Sequence, residues 1–224
     1  GAQDSGGSAS AEGSTGGNAG TGGNAGSAGS GGTAPCVPTL GGPDCLPLDW
    51  SEQLGTEADD ESVAIFGPGE SIFVATTIGG NSKPTPWAGT DISLRKYDPN
   101  GVLLWSSVFG SDDHDEAIVL GTNSSGEVCV LGATYGELAP NDEFATQDYN
   151  LFLRKYSADG TALWTRQFAG PNGSYAKVFV ADNGDVTVTG SLLSAWLGHP
   201  APGYEASFAA KFDASGKLLW STQL

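Results

Sequence analysis

Three stretches of the chain repeat one another: Leu94-Arg-Lys-Tyr-Asp-Pro-Asn-Gly-Val-Leu-Leu-Trp105, Leu153-Arg-Lys-Tyr-Ser-Ala-Asp-Gly-Thr-Ala-Leu-Trp164 and Ala209-Ala-Lys-Phe-Asp-Ala-Ser-Gly-Lys-Leu-Leu-Trp220. Each reads as a strand, a glycine-bearing turn and a second strand entered through Leu and Trp. A glycine after Asp, Asn or Ser supplies the positive φ that tight hairpins require. Trp50, Trp105, Trp164 and Trp220 stand 55, 59 and 56 residues apart, a fixed period of the kind that marks repeat architectures.

Working outward from each copy, every period holds two further strands. In the middle repeat, residues 116–120 and 127–132 precede 150–156 and 162–168. The segment Glu127-Val-Cys-Val-Leu-Gly132 is an almost continuous apolar run, which suits burial on both faces. The first repeat gives strands at 62–66, 71–76, 91–97 and 102–109, and the third at 175–180, 185–190, 206–212 and 217–223. No segment carries a helical period. The expected fold class is all-β: a β-propeller of four-stranded antiparallel blades at about 56–109, 115–168 and 174–224. Three blades leave the ring incomplete, because propellers close with four to eight. The chain is then either cut from a longer propeller or an open module completed by self-association. Asp49-Trp-Ser-Glu-Gln-Leu54 reads as the outer strand of a further blade.

Residues 1–35 are almost entirely Gly, Ser, Ala, Thr and Asn. They cannot bury enough apolar surface to offset their ordering entropy, and the expectation is a random coil reaching roughly 30–35 Å. This stretch resembles the tether that follows the lipid-modified cysteine of bacterial surface lipoproteins, and equally an ordinary interdomain linker. Cys36 and Cys45 bound a Pro- and Gly-rich stretch within residues 36–49 and are expected to form a small disulfide loop. Without further Cys or His nearby, a metal reading of that pair fails. The third cysteine, Cys129, lies in an apolar strand and has no electropositive neighbours in sequence to activate it. Tether, charge and cysteine pair together place the chain outside the cytoplasm.

The sequence carries 26 acidic residues against nine Lys and Arg, a net charge of −17. Such a surface disfavours phosphate backbones and anionic lipid, so nucleic acid is excluded as a partner. Cations, glycans and basic protein surfaces remain. No apolar run reaches the ~18 residues of a membrane helix.

Taken together, these features make residues 50–224 similar to the bacterial β-propeller repeat family of the seven-bladed type. The Trp strand running to Gly110, the Asp-rich start at 112–115, the Gly-x-Val-x-Val-x-Gly-like segment 126–132 and Lys-Tyr/Phe before the turn carry the likeness. The resemblance implies blade packing and no particular chemistry. The phrase ending at Trp220 is also similar to the tryptophan-docking repeat of quinoprotein dehydrogenases. That family's adjacent cysteine pair is absent here, and so is an assignable catalytic Asp.

In a meander of this kind the 2–3 loops and the blade-to-blade loops share one rim. There the sequence places the aromatics Trp87, Tyr135, Phe144, Trp196 and Tyr204, and the acids Glu57, Asp59, Asp60, Glu61, Asp112, Asp113, Asp115 and Glu116. The expected function is non-enzymatic: an acidic, aromatic-studded face for a protein or glycan partner, with a spacer role in a larger surface protein as the competitor. Trp50, Trp105, Trp164 and Trp220 are read as structural. The loop 112–116 offers Asp112, Asp113 and Asp115 as Ca²⁺ ligands, but it lacks the spacing of an EF-hand. His114 and His199 sit in different blades with no nucleophile elbow, and no cofactor is expected.

Overall fold

The computed structural model describes residues 36–38 and 45–47 (as backbone), 50–55, 60–79, 89–139, 142, 145, 149–169, 176–192, 196–201, 203 and 206–223. The chain divides into Gly1–Gly32 and Thr33–Leu224. The expected linker, Trp87, Phe144, Tyr204 and the side chains of Cys36 and Cys45 lie outside the described residues. Two short strands, β1 (Cys36–Pro38) and β2 (Cys45–Pro47), pair antiparallel with Cys36 opposite Pro47 and Cys45 opposite Pro38.

Three four-stranded antiparallel sheets follow, each a meander in chain order. The first holds β3 (Glu61–Phe66), β4 (Ile72–Ile78), β5 (Asp91–Tyr97) and β6 (Leu103–Phe109). The second holds β7 (Asp115–Thr122), β8 (Val128–Thr134), β9 (Asn150–Tyr156) and β10 (Ala162–Ala169). The third holds β11 (Lys177–Val180), β12 (Val186–Leu192), β13 (Ala206–Phe212) and β14 (Leu218–Gln223). The described residues contain no α-helix; Pro68–Glu70 forms a single 3-10 turn between β3 and β4.

The 3–4 turns explain the repeated sequence. Gly101, Gly160 and Gly216 have φ of +80°, +88° and +84°, a region in which a side chain is strained. Asp98 Oδ1 accepts from the Asn100 and Val102 amides at 2.8 Å, and Asp213 Oδ1 from the Ser215 and Lys217 amides at 2.9 and 3.0 Å. A register shift follows each turn, so these hairpins carry a bulge.

Two cores hold the sheets together. Phe73, Ala75, Ile92 and Leu94 of the first sheet meet Val128, Val130, Phe152 and Tyr156 of the second. Cys129, Leu131, Ala133, Leu151 and Leu153 meet Val186, Val188, Phe208, Ala210 and Phe212 of the third. β8 therefore sends alternate residues into opposite cores, which accounts for its unbroken apolar sequence. The first strands of successive sheets, β3, β7 and β11, also lie beside one another.

One contact recurs at the 3–4 turn of each sheet. Trp50 Nε1 donates to the Pro99 carbonyl at 3.2 Å, Trp105 Nε1 to Ala158 at 3.0 Å and Trp164 Nε1 to Ala214 at 2.9 Å. Each indole also lies against the ring that ends the third strand of the sheet it docks on. The pairs are Trp50–Tyr97 at 5.7 Å, Trp105–Tyr156 at 6.1 Å and Trp164–Phe212 at 6.5 Å.

Candidate functional site

The loop ends between the first and second sheets bring together residues from four segments. Thr90 ends the 2–3 loop of the first sheet, Ser111 to Asp115 form the connection into β7, and Tyr135 and Tyr149 bracket the 2–3 loop of the second. Thr90 Oγ1 donates to the Asp115 carbonyl at 2.8 Å and accepts from the Asp115 amide at 3.0 Å. It also meets His114 Nδ1 at 2.6 Å. Thr90 has one proton, already given to the carbonyl, which assigns the donor hydrogen of that last contact to His114 Nδ1.

Tyr135 is anchored by its amide, which donates to the His114 carbonyl at 2.9 Å. Its ring stands between His114 (6.0 Å) and an edge-on Tyr149 (5.2 Å) and is 51% exposed. Burial, then the charges of Glu116 and Tyr135, push the Tyr149 hydroxyl up to about 12. Glu116 is held above the usual carboxylate range by burial and by the like charge of Glu61, with His114 opposing. The result is a half-exposed phenol ring packed beside His114 and Tyr149, with Glu116 acting on Tyr149 and Glu61 on Glu116.

Asp115 has turned inward. It is buried, and its Oδ2 accepts from the Ser111 amide at 2.5 Å and the Ser111 hydroxyl at 3.0 Å, while Oδ1 has no hydrogen-bond partner. Burial raises its pKa most, the Ser111 and Thr134 hydrogen bonds oppose this, and the Asp91 charge adds to the rise. Asp113 Oδ1 accepts from the His114 amide, and the Asp113 amide donates to Ser111 Oγ. These bonds hold the loop in shape. Among the described residues no three of His, Cys, Asp and Glu come together as a metal-ligand set.

Trp196 departs from the sequence expectation of a ligand-facing loop aromatic. It is 1% exposed, packed on Phe208 at 4.1 Å and edge-on to Phe168 at 5.7 Å. The cause is a two-residue turn: Leu197 and Gly198 both take positive φ, and Trp196 and His199 exchange backbone hydrogen bonds of 3.0 and 2.7 Å. That reversal folds the indole back into the core. His199 Nε2 meets Ser221 Oγ at 3.0 Å, in a different sheet from His114.

Sequence reasoning missed the clamp that fixes the loop after Tyr135. Arg166 holds Asp142 through two bonds of 2.7 and 3.1 Å, and Gln167 Oε1 accepts from the Leu138 and Ala139 amides at 2.8 and 3.1 Å. Gln167 Nε2 donates to the Gly136 carbonyl at 2.9 Å. Only the long 2–3 loop itself signals that something must tie it down.

No family model matches the chain. It is 26% identical over 196 residues to the regulatory protein FlaEY of Caulobacter vibrioides, a match covering 77% of this chain and 20% of that protein. The chain thus spans about a fifth of the length of that relative.

Proposed function

We propose that the three sheets are consecutive blades of a β-propeller-type array, and that the Tyr135 cluster is a non-enzymatic binding face displayed outside the cytoplasm for a basic protein surface. The blade reading is supported by the meander order, by the first strands lying side by side and by the repeated tryptophan contact between sheets. The observation that carries the binding role is Tyr135: half-exposed and held by its amide to the His114 carbonyl, so that it adjoins the acidic run Asp112, Asp113, Asp115 and Glu116. A phenol face beside carboxylates accepts a Lys or Arg side chain through cation–π and ionic contact together. The net charge of −17 steers such a partner inward. A binding role is compatible with the regulatory name of the Caulobacter relative, and the Gly/Ser-rich leader suits a tether.

The test is calorimetric titration of the full chain with a lysine-rich peptide and, separately, with a neutral oligosaccharide. Binding of the peptide that Tyr135→Ala weakens about tenfold or more supports the face. Binding that Tyr135→Ala leaves unchanged removes it. Saturation by the oligosaccharide alone replaces a basic protein with a glycan as the partner class. If neither binds, the spacer role, favoured by the repeated docking of sheet on sheet, takes its place.

A further inference from the structure

The tryptophan contact occurs three times, yet the sequence holds four copies of the tryptophan segment, of which the one at Trp50 is not a strand. Trp50, Trp105 and Trp164 each cover a turn glycine of the sheet they dock on. A Cβ built on Gly101, Gly160 or Gly216 would lie 2.5, 2.7 or 2.8 Å from the respective indole. Trp220 holds the same place in β14, opposite Lys211 as Trp105 is opposite Lys96. Among the described residues it has no such turn and is 46% exposed. Phe179 of the same sheet is 63% exposed, and its neighbours Val178 and Val180 belong to the core on the other side.

At the opposite end of the stack, the outward face of the first sheet is only partly covered. Val63 and Ile65 face the second sheet, which leaves Phe66 pointing the other way and 76% exposed. The sole described segment on that face is residues 50–55. Beside it is a cavity of about 260 Å³ lined by Trp50, Glu52, Leu54, Ser62, Val74 and Tyr97. The sequence of that segment is informative: Trp50-Ser-Glu-Gln-Leu54 differs from Trp220-Ser-Thr-Gln-Leu224 only at its third residue. The first sheet is therefore already contacted by a non-strand segment whose sequence nearly repeats that from Trp220 onward.

We propose that the Trp220 face docks on the first sheet of a second copy of this chain, where Trp220 replaces Trp50 over Gly101. The exchange is nearly neutral at the indole, since the same ring meets the same turn. It gives up the Glu52–Arg95 ion pair of 3.1 Å, which is exposed to solvent and contributes little. It gains a whole sheet in place of a single segment, covering Phe66 and Phe179. The two surfaces differ, so the contact is head-to-tail. The Trp220 contact rests on the repeated tryptophan geometry and not on the blade reading above.

The experiment is sedimentation velocity over a concentration series on the full chain, Trp220→Ala and Trp50→Ala, with far-ultraviolet circular dichroism as the fold control. Trp220 is at the surface, so its variant keeps the fold. The expected result is a mass that rises with concentration for the full chain and stays at 22.7 kDa for Trp220→Ala. With its acceptor vacated, Trp50→Ala associates at about tenfold lower concentration than the unaltered chain. A full chain that stays monomeric throughout, or a Trp220→Ala variant that associates as readily as the full chain, overturns the proposal. Lysine-peptide binding is read separately, so a failed Tyr135 face and a failed Trp220 contact remain distinguishable.

Discussion

The indole of Trp105 lies directly over Gly160, with its Nε1–H bonded to the Ala158 carbonyl two residues earlier. Glycine is needed there twice over, for its φ of +88° and because a Cβ would sit 2.7 Å from the ring. Gly198, at φ +86°, has nothing within 4 Å of its notional Cβ. Gly198→Ala should therefore cost about 1 kcal/mol of backbone strain, and Gly160→Ala about 2–3 kcal/mol because the indole must also shift. Urea denaturation midpoints of the two variants measure the difference. Equal midpoints would mean that the ring does not hold the sheets together.

Trp164 makes the same contact from β10 and packs against the core between the second and third sheets. Trp164→Ala should cost about 3–5 kcal/mol. Its neighbour Leu163 is exposed, and Leu163→Ala should stay within about 0.5 kcal/mol. Chemical unfolding of both variants tests the ranking, and a Leu163 effect as large as that of Trp164 would contradict the docking role.

How far the sequence could be read depended on the range of each signal. The glycine turns and tryptophan strands are local patterns with a fixed period, and the four strands of each sheet came out within a residue or two of their ends. The apolar run at residues 127–132 announced two-sided burial because no residue in β8 had a solvent face to satisfy. The loop cluster was only half legible. Tyr135, Asp113 and His114 stand in loops that the sequence marks as acidic and aromatic. Thr90 and Tyr149 join them through the fold, Thr90 across 24 residues. The Arg166–Asp142 pair likewise spans 24 residues. Trp196 was misplaced because its turn puts Leu197 at φ +42°, and leucine is not a residue that signals positive φ.

Trp196→Ala should destabilise the protein by about 3–5 kcal/mol, the cost of emptying a buried aromatic site. Trp196 Nε1 is also buried without a hydrogen-bond partner. Trp196→Phe keeps most of the ring while relieving that orphaned donor, and should cost far less than the alanine change. Thermal melts of the pair decide it. If alanine is tolerated as well as phenylalanine, the indole is not a core residue.

The three cysteines should separate by reactivity. Cys129 is fully buried, and its thiol pKa is pushed well up by that burial, so it should resist alkylation in the folded protein. If Cys36 and Cys45 are joined, as their spacing led us to expect, denaturant alone releases one thiol and denaturant with reductant releases all three. Intact-mass measurement after iodoacetamide counts them. Three thiols without reductant would remove both the disulfide and the argument for an oxidising compartment built on it.

Asp115 governs how the connection into β7 responds to pH. Its folded pKa is raised, chiefly by burial, so the native state holds its proton more tightly than the unfolded chain does. The sign follows from linkage. Its stabilising contribution is complete below the unfolded carboxylate pKa and is lost as pH rises through the raised folded value. Asp115→Asn keeps a carbonyl oxygen for the Ser111 amide and carries no charge near Asp91. The variant should therefore be no less stable than the parent at neutral pH, and should lack the parent's loss of stability as pH rises above the unfolded carboxylate pKa. Urea midpoints across that interval measure both effects. An Asp115→Asn protein that is clearly weaker at neutral pH would show that the ionised carboxylate itself stabilises the loop.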